Sequence, residues 1–472
     1  MKEFYNPYQF VPVKIPDNPD PDHEKIPHDL WDSKKKSGRI ICSLTLETPT
    51  IIGLVHEPIN VGSKKETTSV EPQTRYFGDK KSYYIPGNSL RGMISSIAEA
   101  ITQSSLRVLD NKPLKSFDFK RKKYVDMGYV YDYFNNVSPD LLPLGAAQRN
   151  EPTITVAEAL FGVVEIKMDD KENDARAIAS RIAFSDACLV ESEAEPVMSP
   201  SITLNILGSP KSNSCNMYYH PNGASNRYVK QGELKADQHQ ANGRKFYLHA
   251  TAKTIHNESW RYKGGHDDRD NLRPLCQPFA KDQTFVFHID FENLDDKELG
   301  VLLISLRPEK YFRHKLGMGK ALGLGTVRVD IEGIFETNRK ERYGIEALTQ
   351  KRFTTISTLS VCQASDQWKQ YYLAESEAWN EIKKEILNPD ESLIDPETLS
   401  ILQRIGQYHP EEASEFDLDY PYIVNEQGEK TGKGYEWFKI NKDIEHGGKE
   451  SLPAVIADEP LPRMKTYYKE KK

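Results

Sequence analysis

Ser82-Tyr83-Tyr84-Ile85-Pro86-Gly87-Asn88-Ser89-Leu90-Arg91-Gly92-Met93-Ile94 turns a strand into a helix. Ser82 to Ile85 read as a short strand, and Pro86-Gly87 break it. Asn88 or Ser89 can cap the helix. Leu90, Met93, Ile94, Ile97, Ala98 and Ile101 recur at helical spacing, so one face of that helix is buried. Upstream, Ile40, Cys42, Leu44 and Leu46 alternate with Ser43, Thr45 and Glu47, a half-buried strand. Downstream, Val156 to Phe161 is a short helix stopped by Gly162. Ile182, Phe184, Cys188 and Val190 mark a strand with Asp186 breaking its apolar row. Phe285, Phe287, Ile289 and Phe291 alternate as another, and Leu299, Leu302, Leu303 and Leu306 succeed it as a helix with Asn293 or Asp295 near its cap. Val327, Val329 and Ile331 close the series. Two strand–helix–strand units in succession predict an α+β fold. Its core is a ferredoxin-like, RRM-type βαββαβ arrangement, a four-stranded antiparallel sheet with two helices on one face.

The rest of the chain is arranged around that core. Residues 1–38, rich in Pro and Asp, read as an extended arm. The core domain spans 39–340, with long insertions at about 105–180 and 192–283. Residues 341–472 read as a mainly helical extension (Trp368 to Leu387, Pro396 to Ile405) with a polar end. A length of 472 suggests about two to four domains. Apolar residues make up 38%, which predicts long exposed loops. No run of ~18 apolar residues occurs, so no membrane span is expected. Met1 to Lys14 has no signal-type apolar stretch. Five scattered cysteines without a CxxC pair argue against a disulfide framework or a zinc knuckle. A cytoplasmic protein is expected.

The net charge of −7 would ordinarily argue against a nucleic-acid partner. Distribution reverses that argument. Residues 341–472 hold 17 Lys/Arg against 25 Asp/Glu, a net of −8, so residues 1–340 stand at +1. Lys112 to Lys123 carries six basic residues (Lys112, Lys115, Lys120, Arg121, Lys122, Lys123) and one acid, Asp118. Asn205 to Leu275 carries 11 basic and six acidic residues, interleaved with Tyr218, Tyr219, Tyr228, Tyr247 and Tyr262. Cations beside aromatics can grip single-stranded nucleic acid; on composition alone a solvated loop explains them better.

Two motifs could carry chemistry. Gly317-Met318-Gly319-Lys320-Ala321-Leu322-Gly323-Leu324-Gly325 lies between the last helix and the last strand. Its glycines let backbone approach a ligand, and Arg313, His314, Lys315, Lys320 and Arg328 supply flanking cations. It is neither a dinucleotide fingerprint nor a P-loop. A phosphate-holding loop and a plain tight turn are equally good readings. The helix start at Gly87 to Arg91 can offer its first N–H groups to an anion, although an ordinary capped helix is the commoner case. His266-Asp267-Asp268 has no second metal-ligand set, and His220, His239, His249 and His256 match no compact site, so no metal site is expected.

Together these stretches resemble the repeat-associated mysterious protein (RAMP) superfamily. Ile85-Pro86-Gly87-Asn88-Ser89-Leu90-Arg91-Gly92 is similar to its IPGSSLKG-type motif. Ala159-Leu160-Phe161-Gly162 is similar to its LFG element, and Ser180-Arg181-Ile182-Ala183-Phe184-Ser185-Asp186-Ala187 to the strand after that element. Gly317 to Gly325 resembles its C-terminal glycine loop. Tyr5-Asn6-Pro7-Tyr8 with Phe10-Val11-Pro12, and Gly243-Arg244-Lys245-Phe246-Tyr247, resemble features of a large subgroup.

The resemblance implies a backbone-type subunit of a type III CRISPR effector complex, with subtype III-D one candidate. The implied partners are guide RNA, target RNA and other effector subunits, in antiviral and anti-plasmid defence, with no membrane and no small-molecule cofactor. Carried over, the RNA-binding residues would be Asn88, Ser89, Arg91, Arg181, Lys245, Gly317, Gly319, Lys320, Gly323 and Gly325. A structural ion pair with Asp186 or a nearby acid is at least as good a reading of Arg181. The 192–283 insertion would be a thumb-like or accessory region. Target-cutting members carry an Asp between the first strand and first helix, but Thr48 to Phe77 contains none. Glu71 is nearest the expected place, and a solvated carboxylate is its simpler reading. The resemblance thus leaves an enzymatic role open: an endoribonuclease cutting target RNA or processing precursor guide RNA, with a divalent metal entering only if target RNA is cut. A third, weaker reading is an RNA-recognition module outside CRISPR systems, which lacks the usual RNP-type aromatic run.

Overall fold

The structure is a computed structural model. It describes residues 3–15, 34–56, 68–118, 122–166, 176–206, 215–264, 272–336, 393–408, 418–441 and 449–468, apart from short gaps within these ranges. It is a mixed α/β structure with more strand than helix.

The alternating residues near 40 form β1 (Lys36–Leu46). The main sheet and its helices continue with α1 (Gly87–Ile101), β2 (Ile182–Phe184), β3 (Ala187–Leu189), β4 (Thr284–Leu294), α2 (Asp296–Leu306) and β5 (Thr326–Glu336). The spatial order is β5–β1–β4, with β2 and β3 both on the far side of β4, and every pairing is antiparallel. The strand Lys80–Ile85 adds outside β3, and Thr74–Phe77 adds outside that.

Register explains the core. Leu44 stands opposite Phe285 and Val329, Cys42 opposite Phe287 and Ile331, and Ile40 opposite Ile289. Ile40, Cys42, Leu44, Leu46, Phe285 and Ile289 are 0% exposed. They pack in one cluster with Leu90, Ile94 and Ile97 of α1 and Val301, Leu302 and Ile304 of α2. Each such side chain contributes about 1.5–3 kcal/mol by leaving water. The expected strand through 182–190 is split at Ser185-Asp186. The Ser185 N–H donates to the His288 carbonyl (3.0 Å), while the Asp186 carboxylate accepts the Gly87 N–H at the start of α1 (2.9 Å).

Arg181 joins these pieces. Its guanidinium ion-pairs with Glu298 and donates to the carbonyls of Ala159 (3.1 Å) and Asn293 (2.9 Å). Glu298 also closes the capping box of α2: its N–H donates to Asp295 (2.8 Å), and its carboxylate accepts the Asp295 N–H (3.0 Å). The side chain of Arg181 is 8% exposed. Arg181 is therefore a buried structural residue, which corrects its expected place on an RNA surface. Its partner is Glu298, not Asp186.

Several parts outside the core were not legible. The N-terminal arm is docked in part: Tyr8–Val11 is a buried strand paired with Arg244–Tyr247. The first insertion contains a hairpin, Pro113–Asp118 with Lys123–Tyr129, whose polar sequence hides strand alternation. The second insertion, whose sequence shows little periodicity, contributes paired strands such as Tyr219–Pro221 with His239–Ala241. The described part of 341–472 is not mainly helical. α3 (Pro396–Gly406) forms where expected and buries Leu399, Leu402 and Ile405 in the main core. Gly434–Ile440 is a second helix, but Ile423–Val424, Met464–Lys465 and Tyr467–Tyr468 are strands with distant partners. The expected helix at Trp368 to Leu387 lies outside the described residues. No helix among the described residues is long and apolar enough to cross a membrane.

The ion pair gives a stability prediction. Burial alone would raise the Glu298 carboxyl, but the hydrogen bonds and charge of Arg181 override it and hold the carboxyl below its usual range. Arg181→Met leaves that carboxylate buried and unpaired. It should cost about 3–5 kcal/mol in chemical denaturation, with much of the loss recovered in Arg181→Met/Glu298→Leu. A double variant no more stable than the single one would contradict the ion pair's assigned role.

Candidate nucleic-acid interface

The helix start is largely committed to neighbours. The Gly87 N–H is taken by Asp186, and the Ser89 N–H donates to the Pro86 carbonyl (2.9 Å). A side chain at Gly87 would strike the backbone carbonyls of Phe184 and Ser185 at 2.5 and 2.9 Å. Arg91 turns inward and donates to the Phe161 carbonyl; burial and nearby Arg107 lower its affinity for a proton. Arg107 holds Glu99 (2.7 Å) and the Gly162 carbonyl (3.1 Å). Of this motif Asn88 and Gly92 are exposed, with Ser89 and Arg91 half-buried. The helix-start, LFG and 180–187 motifs therefore interlock, because each satisfies another's buried polar atoms.

Lys245 lies elsewhere, under aromatic rings. Its ammonium sits 3.9 Å from the ring centre of Tyr8 and 5.0 Å from that of Tyr247, and donates to the Tyr218 hydroxyl at 3.3 Å. Burial pushes its pKa down to about 8. This cation–π site fastens the strand Tyr8–Val11 to the second insertion.

The glycine loop differs in kind. Gly317, Gly319, Gly323 and Gly325 have φ of 79°, 74°, 95° and 73°. At Gly317 a side chain would stand 2.2 Å from the Ile51 carbonyl oxygen, and at Gly325 2.0 Å from that of Leu316. Met318 N–H donates to Ile51 (2.8 Å) and Gly325 N–H to Pro49 (3.1 Å), so the loop is sewn to the segment after β1. Leu322, Gly323 and Leu324 N–H groups close turns inside the loop. These five N–H groups are committed within the protein.

The cations of the loop remain. The Lys315 ammonium donates to the carbonyls of Gly323 (3.3 Å) and Leu324 (3.0 Å) and to the Thr326 hydroxyl (3.1 Å). Burial and the neighbouring Lys320 push it down to about 7. His249 fixes the hydroxyl's direction. Its Nε2 faces the Arg313 carbonyl (3.1 Å) and must donate, so its Nδ1 accepts from Thr326 (3.0 Å). Burial holds that imidazole neutral. Lys320 is half-buried, its affinity for a proton is lowered by burial, and it has no ion-pair or hydrogen-bond partner among the described residues.

The neighbouring sheet face is electrically balanced by contrast. Arg39 pairs with Asp290 (2.6 Å), Arg328 with Asp330 (2.8 Å), Arg313 with Glu47 (2.8 Å) and Arg75 with Asp186 (3.7 Å). The loop leads into β5, while the start of α1 touches the end of β2 and the Ser185-Asp186 break that follows it. Three strand spacings, about 14 Å, separate these edges, so the two motifs form no single site. Glu71 is exposed at the end of the strand Ser69–Glu71, paired with Leu54–His56. No group of three metal-binding side chains occurs among the described residues. Thr326 and His249 were not singled out for this loop; the flanking cations Arg313, His314, Lys315, Lys320 and Arg328 were its only signal in the sequence.

The loop geometry predicts opposite outcomes at two glycines. Gly325→Ala should destabilise by at least about 1–2 kcal/mol, because of its positive φ and the nearby carbonyl. Gly92→Ala, inside α1 with nothing within 4 Å of the new methyl group, should stabilise by about 0.5–1 kcal/mol. Urea midpoints check both.

Comparison with known proteins accords with the motif order. The RAMP superfamily model matches residues 43–328, from β1 through the glycine loop to the start of β5. No curated protein sequence is similar enough to count as a relative. Among solved structures, the crystal structure of Thermofilum pendens Csc2 is 12% identical, with 82% of this chain and 84% of that one covered and a TM-score of 0.29. A chain of a type IV-B CRISPR complex is 11% identical over 68% of this chain and 96% of its own, with a TM-score of 0.28. A chain of the type III-B Cmr-beta complex bound to cognate target RNA is 13% identical over 64% of this chain and 61% of its own, with a TM-score of 0.25. Superpositions this loose carry no argument about function. The family match covers more than half of the sequence, and the chain belongs to the RAMP superfamily.

Proposed function

We propose that this chain is a guide-RNA-binding backbone subunit of a CRISPR RNA-targeting effector complex, of type III. The observation that carries the reading is the uncompensated charge on the glycine loop. Lys315 and Lys320 have no carboxylate partner among the described residues, while the arginines of the adjacent sheet face are paired. A desolvated cation without a counter-ion is a standing cost that a bound phosphate removes. Family membership and strand order support the reading. The order β5–β1–β4–β2/β3, with α1 and α2 packed into the same core, supports reading it as a ferredoxin-like split arrangement of the kind used by RNA-recognition modules. Target RNA and neighbouring subunits enter as partners on the same reading. Asn88 and Ser89 are reachable from solvent and stay candidates for a secondary contact.

One observation favours a second reading, as a ribonuclease. Leu54, His56, Ser69 and Glu71 project from one face of the small hairpin between β1 and α1. Glu71 and His56 are diagonal neighbours there, at roughly 7–8 Å, an acid and a base on the segment where cutting relatives are expected to carry their catalytic group. Loss of a single cut in the assembled complex on Glu71→Ala, with target binding retained, would establish it.

The binding reading is tested with Lys320→Glu and Lys315→Met in the assembled complex. Guide loading should fall in both, and unchanged loading would sink the proposal. Acidity supplies a second check. Lys315 has a free-state pKa of about 7, and a bound anion favours its charged form. Binding should therefore take up a proton above pH 7, with affinity falling as pH rises from 7 towards 9. Lys315→Met should flatten that slope.

A further inference from the structure

The C-terminal extension reaches the glycine loop at the end of α3. The Gly406 carbonyl accepts the Arg313 N–H (2.8 Å), Gln407 forms a β-bridge with Phe312, and the Tyr408 N–H donates to the Tyr311 carbonyl (3.0 Å). A side chain at Gly406 would strike the Phe312 ring at 2.1 Å, so the helix end lies flush on that ring. This docking buries Tyr408, 8% exposed, with its ring centre 5.4 Å from that of the His249 imidazole and the two planes tilted by 53°. Gly406 to Tyr408 lie outside residues 43–328, the part matched to the family.

From Tyr408 a chain of contacts runs to Lys315. His249 donates through Nε2 to the Arg313 carbonyl and accepts the Thr326 hydroxyl proton at Nδ1. Thr326 thus turns a lone pair, not a proton, towards the Lys315 ammonium. An ammonium has three N–H groups, and the Gly323 carbonyl, the Leu324 carbonyl and the Thr326 hydroxyl stand ready to accept them. With its donors spent inside the protein, Lys315 acts on an anion through its charge, and those acceptors favour the charged form. An imidazole turned out of place releases the Thr326 hydroxyl, which then no longer has to present an acceptor to Lys315. The other charged or titratable groups here are Lys320 beside Lys315, Arg313 and His314 beside His249, and Glu47, Asp282 and Arg313 around Tyr408.

We propose that Tyr408 is a positioning residue for the glycine-loop site: its ring holds the His249 imidazole in the orientation that keeps Thr326 an acceptor for Lys315. The inference rests on the reading of that loop as a phosphate site, and it gives the C-terminal extension a task there. Burial holds His249 neutral, so Lys315 is the member of the chain that titrates.

Two measurements on the full chain test this role. The first follows the pH midpoint of Lys315 with no RNA present, from its acetylation by trace acetic anhydride read by peptide mass spectrometry. Thr326→Val, nearly isosteric, should lower that midpoint by about one pH unit, because it removes one hydrogen bond to a charged group. Tyr408→Leu should lower it too, while Tyr408→Phe and Thr326→Ser keep the wild-type value. The second measures affinity for radiolabelled single-stranded oligouridine from pH 6 to 9. A midpoint moved down by one unit from about 7 weakens binding roughly tenfold at pH 8 but only about twofold at pH 6. An unmoved Lys315 midpoint in Tyr408→Leu, with the melting temperature of the wild type, would overturn the proposal. So would an equal loss of affinity at every pH, the mark of a merely structural role. If Tyr408→Leu does not fold, Tyr408→Met takes its place. Lys315→Met separates the two readings. Unaltered RNA affinity there sinks the glycine-loop reading, while the Lys315 midpoint still decides what Tyr408 does; weakened affinity there beside an unmoved midpoint in Tyr408→Leu sinks only this inference.

Discussion

The buried guanidinium of Arg181 is the constraint on which the rest of the structure turns. Removing a cation from water costs several kcal/mol unless its donors are satisfied, so the chain must bring acceptors to it. It does so from three directions: the Ala159 carbonyl, the Asn293 carbonyl and the Glu298 carboxylate. Meeting that requirement sets the end of the helix Val156–Phe161, the entry of β2 and the turn from β4 into α2 at one point. From there Phe161 offers its carbonyl to Arg91, and Asp186 offers its carboxylate to Gly87. Much of what looked like a set of ligand motifs is thus a chain of mutual polar satisfaction at the edge of the sheet.

The glycine loop obeys a different rule. Its backbone is closed on itself and on Pro49 and Ile51, so glycine is needed there to permit close approach of chain to chain. What it presents outward is charge. Lys315 is held from inside by carbonyls and by a hydroxyl that His249 orients, and Lys320 stands beside it. A net charge of −7 for the whole chain says little about such a place, because screening confines each charge to about a Debye length.

Legibility in the sequence tracked the range of the interactions involved. α1, the Asp295 cap of α2 and α3 were readable because helical period and capping act within a few residues. β1 and β4 were readable because one face is apolar and fully buried while the other carries polar residues such as Ser43, Thr45, His288 and Asp290. The hairpin at 113–129 was missed because its outer part has no dry face. The strand Tyr8–Val11 was missed because it is buried throughout and pairs with residues 244–247. Lys245 reads as a surface cation in the sequence, and only the convergence of Tyr8, Tyr218 and Tyr247 made it an anchor.

The sequence by itself determined the order of the core strands and helices, the family motifs and the absence of an Asp between Thr48 and Phe77. Period, capping and composition are local properties and survive without coordinates. Tertiary structure alone decided which charges are compensated. Arg181 and Glu298 lie 117 positions apart, and Arg313 and Glu47 lie 266 apart. Pairing across such separations depends on the fold, because Coulomb energy falls with distance in space and is blind to distance along the chain. That is why Arg181 and Lys320, indistinguishable as cations in a motif, came to opposite places: one sealed among acceptors, the other without a counter-ion among the described residues.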